Sequence, residues 1–179
     1  MVSTSDISRR AGELKDLYLG LMTALPAVLH PSLPLLRVYS EAFGQPADAP
    51  IVVARKDGTP HSTKPLVEVL RRASALRGEV MSNDLMAIGA LQGATRIGDM
   101  IDQVSARDSS SPLLEFARHL RNASAHGDRW HFQHGEPRHP AALRGRILDA
   151  SLDGSKVMFE WLAPGDYLDF LDDIETRFA

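Results

Sequence analysis

The sequence has few of the residues on which several classes of protein depend. It contains no cysteine, which excludes disulfide bonds and metal sites built from thiolates. Only 6% of its residues are aromatic, too few for the stacking platforms that bind single-stranded nucleic acid. No apolar run approaches the roughly 20 residues that span a bilayer, and the amino-terminal residues lack the features of a secretory signal. We therefore expect a soluble, cytoplasmic protein that does not contact a membrane.

Several familiar catalytic motifs are also missing. The sequence has neither a Gly-x-x-x-x-Gly-Lys-[Ser/Thr] phosphate loop nor a Gly-x-Gly-x-x-Gly turn after a predicted strand. The Gly-x-Ser-x-Gly motif of a hydrolase nucleophile is absent too. The chemistry of this chain must therefore be sought in other residues.

The net charge of −3 hides an uneven distribution. Residues 1–117 carry 12 basic and 13 acidic residues, whereas residues 118–148 carry six arginines against two acids. Residues 149–179 carry two basic and eight acidic residues. The middle segment, which also holds five of the seven histidines, is therefore locally basic. Its arginines either pair with the acidic tail or contact a phosphate backbone in a weak, salt-dependent way.

Helical patterning covers most of the chain. Apolar residues recur every three or four positions in residues 7–25 and 86–104, as on the buried face of a bundle helix. Glycines at three positions of the second stretch favour close packing of a neighbouring helix. We expect an all-α, up-and-down helical bundle in one domain, residues 1–179. Its predicted helices run from Ser5 or Asp6 to just before Pro26, over 35–43, 64–77 and 82–104, from Pro112 to just before Gly127, and from Pro164 to about Phe178.

Two segments interrupt this helical pattern. Residues 44–65 have the composition of a connection that contains a short strand at residues 51–53. Asp153-Gly154 lies between two apolar stretches, 146–152 and 156–161, and such a dipeptide is typical of a tight hairpin turn. The sequence therefore predicts a small β-hairpin within residues 143–162, inserted before the last helix.

The most informative segment is Leu-Arg-Asn-Ala-Ser-Ala-His-Gly at residues 120–127, at the end of a predicted amphipathic helix. Arginine binds phosphate through a planar fork of donors, and histidine can transfer protons near neutral pH. We therefore predict Arg121, Asn122 and His126 as catalytic residues. Arg118, one helical turn before Asn122, and Arg129 are predicted to bind substrate.

The order Arg-Asn-x-x-x-His, followed by glycine and preceded by an apolar helix, resembles the signature of the HEPN superfamily. The resemblance implies a HEPN-like bundle and a metal-independent endoribonuclease without a cofactor, in which an RNA 2′-hydroxyl attacks the adjacent phosphate. His126 would transfer the proton, and Arg121 would stabilise charge on the phosphoryl oxygens. Asn122 would orient either the histidine or a phosphate oxygen. It also implies a homodimer formed through the motif helix, single-stranded or structured RNA as substrate, and a role as a toxin or phage-defence effector. An antitoxin or a nucleotidyltransferase would then be its protein partner.

Three other interpretations stay open. The chain could be a catalytically inactive HEPN-like dimer that acts as a binding or regulatory module. A histidine at a helix end also commonly binds the last carbonyl groups, and a nearby arginine can be an ordinary surface residue. A metal site is a further interpretation, although spacings of 7, 5, 3 and 5 match no compact ligand motif. The histidines concerned are His119, His126, His131, His134 and His139.

Overall fold

The protein is mostly helical and contains small antiparallel β-sheets. The computed structural model describes residues 2–28, 34–44, 46, 48–65, 67–69, 72, 79–104, 108, 110–133 and 135–179. No helix within these ranges has both the length and the apolar character needed to cross a membrane. The labelled elements are α1 (Thr4–Val28), α2 (Leu35–Phe43), β1 (Pro50–Ala54), β2 (Pro60–Pro65), α3 (Glu79–Gln103), α4 (Pro112–Ala125), β3 (Ala142–Leu143), β4 (Arg146–Ile147) and α5 (Pro164–Phe178).

The chain divides into two compact units. The larger unit comprises Met1–Leu21 and Asn83–Ala179, and the smaller comprises Met22–Ser82. The larger unit contains α4, which carries the sequence motif, together with α5 and most of α1 and α3. The prediction of a single HEPN-like domain over residues 1–179 stays a prediction.

The core of the larger unit forms where helices α1, α3, α4 and α5 face one another. Ser8 of α1 donates to the carbonyl of Glu175, whereas Lys15, two turns later, contacts Asp172, so α1 and α5 run antiparallel. An aromatic cluster joins α4 to α5, with the ring centroids of Phe116 and Phe170 5.8 Å apart. Both rings are fully buried, and burial of a large apolar side chain contributes about 1.5–3 kcal/mol.

The glycines of α3 allow neighbouring side chains to approach its backbone closely, as the sequence predicted. A Cβ at Gly89 would lie 3.2 Å from Cδ2 of Leu21, and a Cβ at Gly93 would collide with the hydroxyl of Tyr167. Gly98 is equally restricted, by a side chain of α4. The cost of glycine in a helix is thus offset by close helix packing.

Three predicted helix boundaries differ from the structure. Helix α3 begins at Glu79, three residues before the predicted start at residue 82. Helix α1 extends two residues beyond Pro26 to Val28, because proline removes one backbone hydrogen bond near a helix end without forbidding the last turn. The helix expected from Lys64 does not begin there, since Lys64 and Pro65 belong to strand β2. Residues 67–69 and 72 are helical, and the rest of the predicted 64–77 helix lies outside the described residues.

The hairpin before the last helix turns at a different place from the one predicted. Strands β3 and β4 are two residues each and pair around Arg144 and Gly145, which both have positive φ as a tight hairpin turn requires. Asp153-Gly154 does form a turn, but the Gly154 amide donates to the carbonyl of Trp130 at 2.9 Å. The Trp130 amide donates in turn to Ser155 at 3.0 Å, so pairing with a distant segment replaces the predicted hairpin.

The smaller unit contains α2 and the hairpin of β1 and β2. Helix α2 spans the predicted residues 35–43 and ends at Gly44, which has a φ of +62°. The strand predicted at residues 51–53 is present within β1, and it pairs antiparallel with β2. The connection predicted at 44–65 is therefore largely a hairpin, whose turn includes Gly58 at a φ of +81°.

Candidate functional site

Helix α4 begins and ends where the sequence predicts. Pro112 occupies its first turn, although the side chain of Ser111 makes no capping hydrogen bond. At its other end the amide of His126 donates to the carbonyls of Asn122 and Ala123. Gly127 then adopts a φ of +70°, and the amide of Asp128 reaches back to Ala123 at 3.1 Å. This left-handed ending places His126 at the exposed carboxyl end of the helix.

The imidazole of His126 stacks on that of His131, with ring centroids 3.8 Å apart and ring planes 27° from parallel. Both side chains are exposed. Sequence patterns indicate no role for His131 beyond membership of a histidine cluster, because it lies in an irregular segment without periodicity. The structure thus brings together two accessible imidazoles at the end of the motif helix.

Arg121 is directed toward α3. Its Nε donates to Oδ1 of Asp99 at 2.6 Å, and its side chain is 37% exposed. Among the contacts of the described residues, this ion pair uses only the Nε edge of the guanidinium. The terminal Nη groups therefore remain available to an oxyanion, although the Asp99 carboxylate reduces the net positive charge around them.

Arg121 and His126 leave α4 in different directions. Five helical residues correspond to a rotation of about 140° and a rise of about 7.5 Å. The contacts agree with this estimate, since Arg121 meets Asp99 of α3 whereas His126 meets His131 after the helix.

Arg118, predicted to bind substrate, is held by two carboxylates. Its Nη2 and Nε contact Glu115 at 2.6 and 3.1 Å, and its Nη1 contacts Glu136 at 3.0 Å. Only 21% of the side chain is exposed. Burial raises the pKa of Glu115, but hydrogen bonds and charge from Arg118 outweigh this effect, so the pKa of that carboxyl is lowered.

His119 lies fully buried beside this ion-pair network. Burial and the charge of Arg118 lower the pKa of the imidazole. The ring is therefore neutral, and its Nε2 accepts a hydrogen bond from Arg118 Nη2 at 2.9 Å. Its proton then resides on Nδ1, which is buried without a hydrogen-bond partner in the described structure. His119 therefore stabilises Arg118 and is inaccessible to a substrate.

A pocket of about 290 Å³ opens beside this network. Sequence reasoning missed it because Glu136 lies about twenty positions after Glu115, in an irregular segment with no periodic pattern. Arg138 and His139 are exposed at the pocket. Where the structure describes the chain, no three His, Asp or Glu side chains are grouped as a metal ion would require.

The two remaining predicted residues lie near the end of α4. The side chain of Asn122 is half-buried and makes no hydrogen bond to a described residue. Arg129 is exposed, and its Nη1 donates to the carbonyl of Gly154 at 2.7 Å. Between them, Asp128 accepts a hydrogen bond from the Met158 amide at 2.8 Å, and burial raises the pKa of its carboxyl.

Comparisons of the chain with protein-family models, with curated proteins and with solved structures found no match. The functional interpretation therefore depends on the chemistry of the residues at the end of α4.

Proposed function

We propose that this chain is a metal-independent endoribonuclease of the cytoplasm, built on a HEPN-like helical bundle. The observation that carries the proposal is the exposed stack of His126 on His131 at the end of the motif helix. Two accessible imidazoles supply the general base and the general acid that phosphodiester transfer requires. Arginine donors near such a pair stabilise charge that develops on the phosphoryl oxygens.

In the proposed reaction, His126 accepts the proton of an RNA 2′-hydroxyl as its oxygen attacks the adjacent phosphorus. The bond between phosphorus and the 5′-oxygen breaks, and His131 donates a proton to that leaving oxygen. The products are a 2′,3′-cyclic phosphate and a 5′-hydroxyl, so atoms and charge balance without a metal or a cofactor. Arg121 binds the phosphoryl oxygens, Asn122 orients the phosphate, and Arg129 contacts the neighbouring backbone.

The active form is proposed to be a homodimer joined through α4. Within one chain, Arg121 and His126 point in different directions. In a dimer, Arg121 of one copy would lie beside His126 of the other and so complete each site. Two arginine-containing sites near one axis repel each other, and an anion relieves the repulsion. Sulfate should therefore raise the melting temperature more than chloride at matched ionic strength, and Arg121→Ala should reduce that rise. A monomer at tens of micromolar with no specific sulfate effect contradicts the dimer.

The decisive experiment measures RNA cleavage in the presence of EDTA. We expect His126→Ala to lower the cleavage rate by about 10²–10⁴-fold, the usual contribution of a general acid or base. His61→Ala, an exposed histidine of the smaller unit, is the matched control and should cleave like the unmodified protein. The products should carry cyclic phosphate ends. Unchanged cleavage by His126→Ala, or activity that EDTA abolishes and zinc restores, contradicts the proposed mechanism.

A second candidate is a catalytically inactive binding or regulatory module with the same fold. It is favoured by the ion pairs of α4, since both Arg118 and Arg121 already hold carboxylates. A module of this kind should bind RNA or a protein partner, such as an antitoxin or a nucleotidyltransferase, and yield no cyclic phosphate at any enzyme concentration.

A further inference from the structure

A groove of about 400 Å³ lies between α1 and α3 in the larger unit. The two helices run antiparallel along it, because Leu21 lies beside Gly89 and Leu14 lies beside Gly93. None of the predicted site residues at the end of α4 lines this groove. The groove is therefore separate from the proposed ribonuclease site, and its binding properties depend on its own lining residues.

One wall of the groove is apolar. Leu14, Leu17 and Leu21 follow one another along α1, and Leu17 is 62% exposed. On the opposite side, Gly89 and Gly93 of α3 let the side chains of Leu21, Tyr18 and Tyr167 pack closely against the helix backbone, so the floor of the groove is filled. The open space above this floor accommodates a narrow, flexible chain and buries its apolar surface against leucine.

The other end of the groove is basic. Arg10 and Arg96 both line it, and no Asp or Glu is among the described lining residues. Nη1 of Arg10 donates to Glu13 at 2.9 Å, whereas its Nε is buried without a hydrogen-bond partner. Arg96 is exposed and makes no ion pair to any residue that the structure describes. These donors match a small anionic group.

Tyr18 gives independent evidence that the groove has an incomplete set of polar contacts. Its side chain lines the groove and is only 3% exposed, yet its hydroxyl has no hydrogen-bond partner among the described groups. Burial raises the pKa of Tyr18 to about 12, so the hydroxyl retains its proton and can donate. A buried hydroxyl without a hydrogen-bond partner is destabilising, and a polar ligand atom that reached it would remove this cost.

We propose that the groove binds an amphipathic carboxylate with an unbranched chain of medium length, of the fatty-acid type. The leucines of α1 contact the chain, and the guanidinium groups of Arg96 and Arg10 bind the carboxylate. From Leu21 to Arg10 the helix extends about 16 Å, which suits an extended medium-length chain. The choice of occupant follows from the charge, because an apolar wall that ends in two arginines complements a ligand with one anionic end.

The test uses the full chain and dodecanoate below its micellar concentration, with calorimetric titration as the readout. Dodecanoate should bind, whereas acetate, which lacks the chain, and dodecyltrimethylammonium, which reverses the head charge, should not. Arg96→Gln should weaken dodecanoate binding about tenfold, as loss of one charge-assisted contact implies. Arg138→Gln, a matched change of an exposed arginine outside the groove, should leave the affinity unchanged.

Leu17→Asp provides a second variant that preserves the fold, because this side chain is already largely exposed. It should reduce dodecanoate affinity without lowering the melting temperature. No binding of dodecanoate, or equal binding of the cationic analogue, overturns the proposal. A dimer that dissociates on Leu17→Asp and binds no dodecanoate also overturns it, since a second copy of the chain would then occupy the groove. RNA cleavage should be unaffected by either variant, so failure here is distinct from failure of the ribonuclease proposal.

Discussion

Arg121 of α4 lies directly against Gly98 of α3. A Cβ at position 98 would be only 2.8 Å from both Cβ and Cδ of Arg121. This close approach brings the Arg121 guanidinium within 2.6 Å of Asp99, the next residue of α3. The position of the motif arginine therefore depends on the absence of a side chain on the neighbouring helix.

Gly98→Ala should destabilise the protein. Overpacking of this kind typically costs about 1–3 kcal/mol, and Cβ of Arg121 cannot move away without its backbone. The higher helix propensity of alanine recovers at most about 1 kcal/mol. Urea unfolding of the full chain measures the balance.

Gly20→Ala is the matched control for this change. Gly20 is helical and exposed in α1, and nothing lies within 4 Å of a Cβ there. Alanine at position 20 should therefore stabilise the protein, by about 0.5–1 kcal/mol. A Gly98→Ala protein as stable as the unmodified chain would show that α4 moves away from α3 at little cost.

Substitutions in the Arg121–Asp99 pair should affect cleavage more than stability. Because both side chains are more than a third exposed, the pair contributes at most about 1 kcal/mol to folding. Arg121→Lys removes the planar fork and should abolish most cleavage, whereas Asp99→Asn removes a competing carboxylate and should tighten RNA binding. Cleavage kinetics and melting temperature of both variants separate the two effects. Full activity of Arg121→Lys contradicts a bidentate role for this residue.

Acid should destabilise the protein through His119. Its pKa in the folded state is lowered from the ordinary value of 6.5, so the unfolded chain binds the proton first as the pH falls. The stabilising effect is therefore complete above pH 6.5 and decreases as the pH drops below that value. Glu115, whose pKa is lowered from 4.5, adds a similar loss at still lower pH.

Urea unfolding at a series of pH values measures this dependence. His119→Gln keeps an acceptor for Arg118 but cannot titrate, so its stability should change less between about pH 7 and pH 5. His61→Gln, on the exposed strand β2, should retain the slope of the unmodified protein. An unchanged slope in His119→Gln assigns the acid sensitivity to other groups.

Local residue patterns were sufficient to predict several elements. The bounds of α2 and the start of α4 at Pro112 follow from apolar spacing with proline and glycine at the ends. The apolar positions of α3 are buried as expected, from Met86 to Met100. In α5, apolar periodicity predicts that Leu168, Leu171, Ile174 and Phe178 face the core; Leu171 and Ile174 are fully buried, whereas Leu168 and Phe178 are only partly buried. Tyr167 and Phe170 are buried as well, and Phe170 packs against Phe116 of α4.

The sequence by itself determined where the motif helix ends and that His126 follows it, since glycine at position 127 is a short-range signal. Only the tertiary structure decided the partners of its polar residues. His131 meets His126 through an irregular turn, Glu136 reaches Arg118 across eighteen residues, and Asp99 reaches Arg121 from another helix. Periodicity encodes which face of a helix is apolar, whereas pairing between distant segments depends on the packing of the whole core. For the same reason the turn at Asp153-Gly154 formed while its hairpin did not.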